Sequence, residues 1–127
     1  MKEKTIHSLR RDFPALQDGD ITYMDSACMS LRPRPVIEAM REYYASFPAC
    51  TGRSAHSMAD RATREMDRAR RRVQAFLGAR SPEQIIFTRN TTEAINMVAC
   101  LLDLEPGDIV LTSDREHNSN LLPWQRL

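Results

Sequence analysis

A polar tetrapeptide, Asn90-Thr91-Thr92-Glu93, separates two apolar stretches of the chain. Asn90 is a favoured N-cap residue, and Glu93 three positions later gives the spacing of a capping box. A helix that begins here leaves backbone N–H groups unpaired at its positive end, where the hydroxyls of Thr91 and Thr92 also stand. This combination predicts a receptor for a phosphate group, and the alternative is a capped helix start with no ligand.

His117 lies in a second polar loop, Asp114–Asn118, which follows another apolar run. In open α/β sheets, ligands bind at the carboxyl ends of the strands, and both polar segments follow predicted strands. We therefore expect His117 to lie near the predicted phosphate site. A histidine there can act as an acid or base, as a metal ligand or as a flat surface against a ring, and the alternative is an ordinary surface histidine.

Other chemistries lack the spacing that they need. Cys28, Cys50 and Cys100 are far apart and form no C-x-x-C pair, which favours reduced thiols in a cytosolic protein over a disulfide framework. A zinc site drawn from these cysteines with His56 and His117 has no closely spaced ligand pair, so we predict no metal. The chain also has neither a P-loop lysine nor a G-x-G-x-x-G motif.

Composition is that of an ordinary globular protein, with 42% hydrophobic and 28% charged residues and a net charge of +1. The arginine-rich end of the helix predicted at 57–77 is interpreted as a solvated face, so no nucleic-acid partner is predicted. No apolar run approaches the roughly 18 residues of a membrane span. From these features we expect a cytoplasmic protein without a membrane partner.

The elements that must position the polar loops follow from apolar periodicity and from proline and glycine. A short helix is predicted within residues 1–20, and a short helical turn from Asn120. The longer helices are predicted from Pro33 to before Pro48, over Ser57–Leu77 with Gly78 at C′, and over Thr91–Leu102 in a well-buried position.

Short strands are predicted at 21–24, 84–88 and 108–113. The order of helices and strands predicts an α/β layer structure with a parallel sheet. Only 84–88 and 108–113 are convincing core strands, too few for a sheet that is covered on both faces. We therefore predict that the 127 residues are the front part of a larger α/β protein.

Several segments occur in an order that resembles the N-terminal part of class V aminotransferase-fold enzymes, closest to the cysteine desulfurases. The resemblance runs over nearly the whole chain. The segments are Asp12–Leu16, Tyr23–Ala27, Arg53 with His56, Phe87–Asn96, and Glu116-His117 followed by Asn120 and Pro123–Gln125.

The resemblance implies an incomplete fold-type I pyridoxal phosphate enzyme, with residues 1–50 as an N-terminal arm and small-domain segment and 51–127 as the start of the large cofactor-binding domain. The full-length parent would be a homodimer that cleaves the C–S bond of L-cysteine through an aldimine. One alternative is an aminotransferase or lyase for another amino acid. An alternative of a different class is a non-catalytic module that associates with a partner chain.

The resemblance also implies roles for individual residues. The cofactor phosphate would be held by Asn90, Thr91 and Thr92, and His117 would stack on the pyridine ring and be available as an acid or base. The substrate side would include, in sequence order, Ala27, Arg53 and His56.

The chain departs from the family pattern at Asn90, Gly52, Ser54 and Asn118, where a glycine, a histidine, a glycine and a second histidine are common. The family's Schiff-base lysine, the acid that pairs with the pyridine nitrogen and the sulfur-accepting cysteine all lie further along the family's chain. The only lysines here are Lys2 and Lys4, which precede all predicted regular structure. We therefore expect the 127-residue chain by itself to be inactive.

Overall fold

The computed structural model describes residues 6–17 and 19–126; Lys2 and Lys4 lie outside these ranges. The chain divides into two compact units, Met1–Val73 and Gln74–Leu127. The domain boundary predicted after residue 50 stays a prediction. The described elements are the helices α1 (Ile6–Arg10), α2 (Arg34–Ser46), α3 (Ser57–Leu77), α4 (Thr91–Leu101) and α5 (Leu122–Gln125), with 3₁₀ turns at Pro14–Leu16, Pro82–Gln84 and Asn118–Asn120.

The ends of the longer helices lie where local signals predict them. Helix α2 has Pro35 in its first turn and ends before Pro48. Helix α3 spans the predicted range, and Gly78 follows it with a φ of 68°, a conformation that glycine adopts without steric cost. Helix α4 begins at Thr91 as predicted and ends at Leu101. None of the described helices combines the length and the apolar character needed to cross a membrane.

The strand predictions are wrong for the described part of the chain, because none of the segments 21–24, 84–88 and 108–113 forms a strand. Ile85 has extended backbone, with φ −100° and ψ 117°. A strand, however, exists only where its N–H and C=O groups pair with a neighbouring segment. Ile109 and Leu111 are 89% and 94% exposed, as expected for apolar residues that no neighbouring element covers.

The predicted burial of α4 is also wrong in part. Ala99 is the buried residue of α4, whereas Leu101 is 74% exposed. In α3 the buried residues are Ala59 and Ala62, and Phe76 near its end is 88% exposed. Periodicity identifies an apolar face, but the face is buried only where another element packs against it.

Phe47, which directly follows α2, is the largest buried apolar side chain among the described residues. Its ring packs edge-on against Tyr43, with 5.4 Å between the ring centroids. The guanidinium carbon of Arg61, in α3, lies 4.0 Å from the Phe47 ring centroid, a cation–π distance. Arg61 also forms an ion pair with Glu42, so one arginine connects α3 both to α2 and to the residue that follows it.

Replacing Phe47 by alanine tests the importance of this contact for the first unit. We expect F47A to lower the free energy of unfolding by about 3 kcal/mol, because a buried aromatic ring is lost and a cavity remains. The matched control is F76A, which removes an exposed ring and should change stability by less than about 0.5 kcal/mol. Urea unfolding followed by circular dichroism compares the two. Equal losses for both variants would show that Phe47 is not a core residue.

Candidate functional site

The start of α4 is fixed by the side chain of Asn90. Asn90 has extended backbone, with φ −164° and ψ 170°, and its Oδ1 accepts the Glu93 backbone N–H at 2.9 Å. The Glu93 carboxylate accepts the backbone N–H of Arg89 at 2.6 Å, one residue before the N-cap. The first hydrogen bond of the predicted capping box is therefore present, whereas the Glu93 carboxylate bonds to the N–H of Arg89 and not to that of Asn90.

Glu93 carries a negative charge close to the positive end of α4. Its carboxylate also forms an ion pair with the Arg89 guanidinium at 3.0 Å. The pKa of Glu93 is lowered from its ordinary value, first by the hydrogen bond from the Arg89 side chain and then by the Arg89 backbone N–H. The carboxylate is thus ionised and paired at neutral pH, and this pairing reduces its repulsion of an anion at the same helix end.

Thr91 and Thr92 provide the polar groups that remain at this helix end. Their backbone N–H groups, in the first turn, have no hydrogen-bond acceptor among the described residues, and neither does the Thr91 hydroxyl. The Thr92 hydroxyl donates to Ser119 Oγ at 2.9 Å. Both threonines are exposed, so solvent or a ligand can reach them. Two free N–H groups and two hydroxyls at a helix N-terminus fit a phosphate group.

His117 is connected to this helix end through Ser119. The Ser119 Oγ lies 2.9 Å from His117 Nδ1, and the Ser119 backbone N–H donates to the same nitrogen at 3.1 Å. Because Nδ1 accepts hydrogen bonds, the proton of the neutral imidazole is on Nε2. His117 is exposed, and its ring is therefore open to a planar group.

A network of side-chain hydrogen bonds also connects the loop that contains His117 to α5. Glu116 accepts hydrogen bonds from Ser113 Oγ at 3.1 Å and from Asn120 Nδ2 at 2.9 Å. These bonds lower the pKa of Glu116, with Asn120 as the larger cause. Trp124 Nε1 donates to Asn120 Oδ1 at 3.1 Å, which connects the loop to α5. The turn Asn118–Asn120 contacts both α4 and α5.

Ser119 is not among the site residues predicted from the sequence. In the structure His117 caps the turn, since its Nδ1 accepts the Ser119 N–H. The bond between Ser119 and Thr92 joins residues 27 positions apart and has no signal in the sequence. Ser119 is thus the residue of this site that sequence reasoning missed.

The three residues predicted on the substrate side belong to the first unit. His56 accepts the Ala59 backbone N–H at 3.3 Å and so caps the start of α3. Arg53 is exposed and forms no hydrogen bond or ion pair with the described residues. Ala27 is exposed in a turn in which the Asp25 carbonyl accepts the backbone N–H groups of the two residues after Ala27. Their substrate-side role stays a prediction.

All three cysteines are exposed as free thiols. Across residues 6–17 and 19–126, no three histidine, cysteine, aspartate or glutamate side chains group closely enough to hold a metal ion.

Comparisons with known proteins identify the family of the chain. The family described as Aminotransferase class-V matches residues 22–127. A protein of Methanothermobacter thermautotrophicus named "Probable cysteine desulfurase" is 48% identical over 119 residues, which cover 94% of this chain and 29% of that protein. A protein of Pseudomonas aeruginosa with the same name is 45% identical, covering 93% of this chain and 31% of that protein.

A solved structure, the apo cysteine desulfurase of Thermococcus onnurineus, matches with a TM-score of 0.86 at 39% identity. The match covers 98% of this chain and 31% of that one. The chain thus has the fold of a part of a cysteine desulfurase, and it spans about a third of the length of the relatives it matches.

Acid should weaken the start of α4 through Glu93. Since its folded-state pKa is lowered, the stabilisation is complete above the ordinary value of 4.5 and is lost as pH falls through the folded-state pKa. We expect the protection of the Arg89 amide, measured relative to its intrinsic exchange rate at each pH, to fall below about pH 4.5 in the native sequence and to be low at every pH in E93Q.

Hydrogen exchange followed by NMR measures this effect. The control is E38Q, because Glu38 is exposed on α2 and its side chain forms no hydrogen bond or ion pair with the described residues. A native Arg89 amide whose protection does not change between pH 6 and about pH 3 would contradict the role of Glu93.

Proposed function

The chain belongs to the aminotransferase class-V family, and we propose that it forms the phosphate-binding part of a pyridoxal phosphate enzyme. The observation that carries this proposal is the set of free donors at the start of α4, connected through Ser119 to His117. When bound, pyridoxal phosphate supplies an electron sink for bonds at the α-carbon of an amino acid.

The phosphate group would be bound by Thr91 and Thr92. Their two unpaired N–H groups and the Thr91 hydroxyl supply free donors, and the Thr92 hydroxyl would donate to the anion in place of Ser119. The positive end of the α4 dipole favours the anion. Asn90 contributes differently, because its Oδ1 is occupied by the Glu93 N–H. We propose that Asn90 fixes the helix start and that the two threonines make the direct contacts.

His117 would lie flat against the pyridine ring. Its Nδ1 is occupied by Ser119, which fixes the ring edge and leaves Nε2–H on the opposite edge. An imidazole held in this way can orient a planar group and still donate a hydrogen bond from Nε2–H. Arg53, His56 and Ala27 are proposed to contribute to the substrate side.

We propose L-cysteine as the substrate of the full-length parent, with cleavage of its C–S bond. The support comes from the names and the 48% and 45% identities of the two relatives. Gly52, Ser54 and Asn118 differ from the common family pattern, which keeps an aminotransferase or lyase for another amino acid as the alternative. Product analysis separates the two, because a desulfurase yields alanine and transferable sulfur from cysteine, whereas an aminotransferase yields an oxo acid.

The exposed apolar segments favour a second candidate function of a different class, association with a partner chain. Ile86, Ile109 and Leu111 are 66%, 89% and 94% exposed in the segments that sequence analysis predicts as strands. In a fold-type I enzyme such segments would pair within a mostly parallel sheet, and the parent would be a homodimer. The alternative is a non-catalytic module that buries these residues against another protein.

Removing the threonine hydroxyls should weaken binding of the cofactor phosphate. We expect the double variant T91V/T92V to raise the Kd of pyridoxal phosphate by roughly tenfold or more, because hydrogen bonds to charged groups contribute about 1.5–3 kcal/mol. Binding of pyridoxal, which lacks the phosphate, should not change. Absorbance titrations measure both dissociation constants.

The matched control for this experiment is T112V. Thr112 is exposed in the second unit and has no hydrogen bond to the described residues. A Kd for pyridoxal phosphate that is the same in T91V/T92V, T112V and the native chain would refute the phosphate assignment.

The chain by itself should form no productive covalent bond with pyridoxal phosphate. Its two lysines, Lys2 and Lys4, do not match the Schiff-base position of the family. We expect borohydride reduction followed by peptide mass analysis to show no stoichiometric cofactor adduct, and no turnover of cysteine. A stoichiometric adduct on Lys2 or Lys4 together with amino-acid turnover would overturn this expectation.

A further inference from the structure

Ser119 is hydrogen-bonded both to Thr92, a predicted phosphate contact, and to the imidazole of His117. Its hydroxyl oxygen accepts the Thr92 hydroxyl proton at 2.9 Å and lies 2.9 Å from His117 Nδ1. A serine hydroxyl has one proton to donate and two lone pairs to accept with. The Ser119 backbone N–H donates to the same Nδ1 at 3.1 Å, so this nitrogen is an acceptor, and the Ser119 hydroxyl, which accepts from Thr92, donates its own proton to it.

We propose that Ser119 is a positioning residue of the cofactor site, which holds His117 in the Nε2–H tautomer through the chain from Thr92 to Ser119 to Nδ1. This inference rests on the proposed function for its importance in the enzyme. The tautomer, by contrast, is a property of the chain without any ligand. Ser119 touches neither the cofactor nor the substrate in this proposal and acts only through His117.

The chain of hydroxyls also connects the phosphate site to the imidazole. Thr92 has a single hydroxyl proton, which it donates to Ser119 in this structure. A phosphate oxygen at the start of α4 would compete for that proton. A phosphate at this site would therefore remove the hydrogen bond that Ser119 accepts from Thr92. Its loss would weaken the hydrogen bond between Ser119 and His117 Nδ1.

The tautomer is measured by NMR of the full chain with ¹⁵N-labelled histidine, without ligand and at a pH where the ring is neutral. The loss of His117 signals in H117N identifies them among those of the three histidines. We expect S119A to raise the ratio of the Nδ1–H to the Nε2–H tautomer about fivefold, the effect of losing one ordinary hydrogen bond. S119T, which retains the hydroxyl, should restore the native ratio.

Two threonine variants form a matched pair that tests the hydrogen bond from Thr92 to Ser119. T92V removes the donor to Ser119 and should raise the Nδ1–H fraction by a smaller factor than S119A. T91V removes a hydroxyl with no partner among the described residues and should leave the tautomer ratio unchanged. If S119A does not fold, as judged by circular dichroism, T92V against T91V still decides the proposal.

A native tautomer ratio in folded S119A, or failure of S119T to restore it, would overturn the positioning role. An unchanged ratio in T92V would likewise overturn the link from Thr92. In a separate arm, inorganic phosphate is titrated while the Thr91 and Thr92 amide signals are followed. Absence of phosphate binding there counts against the proposed function and leaves the tautomer result to decide the role of Ser119.

Discussion

The hydrogen bond from the Glu93 N–H to Asn90 Oδ1 fixes the point at which α4 begins, and the candidate site is placed relative to that point. If α4 began one residue later, different backbone N–H groups would be free. With the cap at Asn90, the first-turn N–H groups of Thr91 and Thr92 remain unpaired beside their hydroxyls. The ion pair of Glu93 with Arg89 then reduces the negative charge at this end of the helix. One cap therefore determines both which donors are free and the charge around them.

The parts of the fold that sequence analysis predicted correctly are those fixed by local interactions. Gly78 ends α3 because it adopts a positive φ, and Pro48 limits α2 because proline cannot continue a helix. The predicted strands depend instead on partners far away in sequence. Ile85 has the extended backbone of a strand, but no segment in the described part of the chain pairs with it. The burial of α4 was overestimated for the same reason, since its apolar face needs a covering element.

The candidate site shows the same division between local and distant interactions. Asn90, Thr91 and Thr92 could be identified from spacing alone, because capping involves residues within four positions of one another. His117 was predicted near them from the edge of a parallel sheet, yet in the described residues it reaches α4 through the turn Asn118–Asn120. The position of His117 near α4 was thus inferred from a sheet that the described residues do not form. Ser119 makes the decisive contact, and the spacing between Ser119 and Thr92 has no recognisable pattern.

The predicted phosphate site and the imidazole therefore depend on a helix and a turn that form within short segments of the chain. Helix α4, the turn Asn118–Asn120 and α5 contact one another in the second unit, and Glu116, Asn120 and Trp124 join the loop to α5. In the segments at 84–88 and 108–113, the backbone N–H groups of Ile85 and Asp108 donate to the Pro82 and Glu105 carbonyls in turns, and neither segment forms a strand. Thr92, Ser119 and His117 meet through the contact of α4 with the turn Asn118–Asn120. Ile109 and Leu111 stay exposed, because an apolar segment is buried only where another element packs against it.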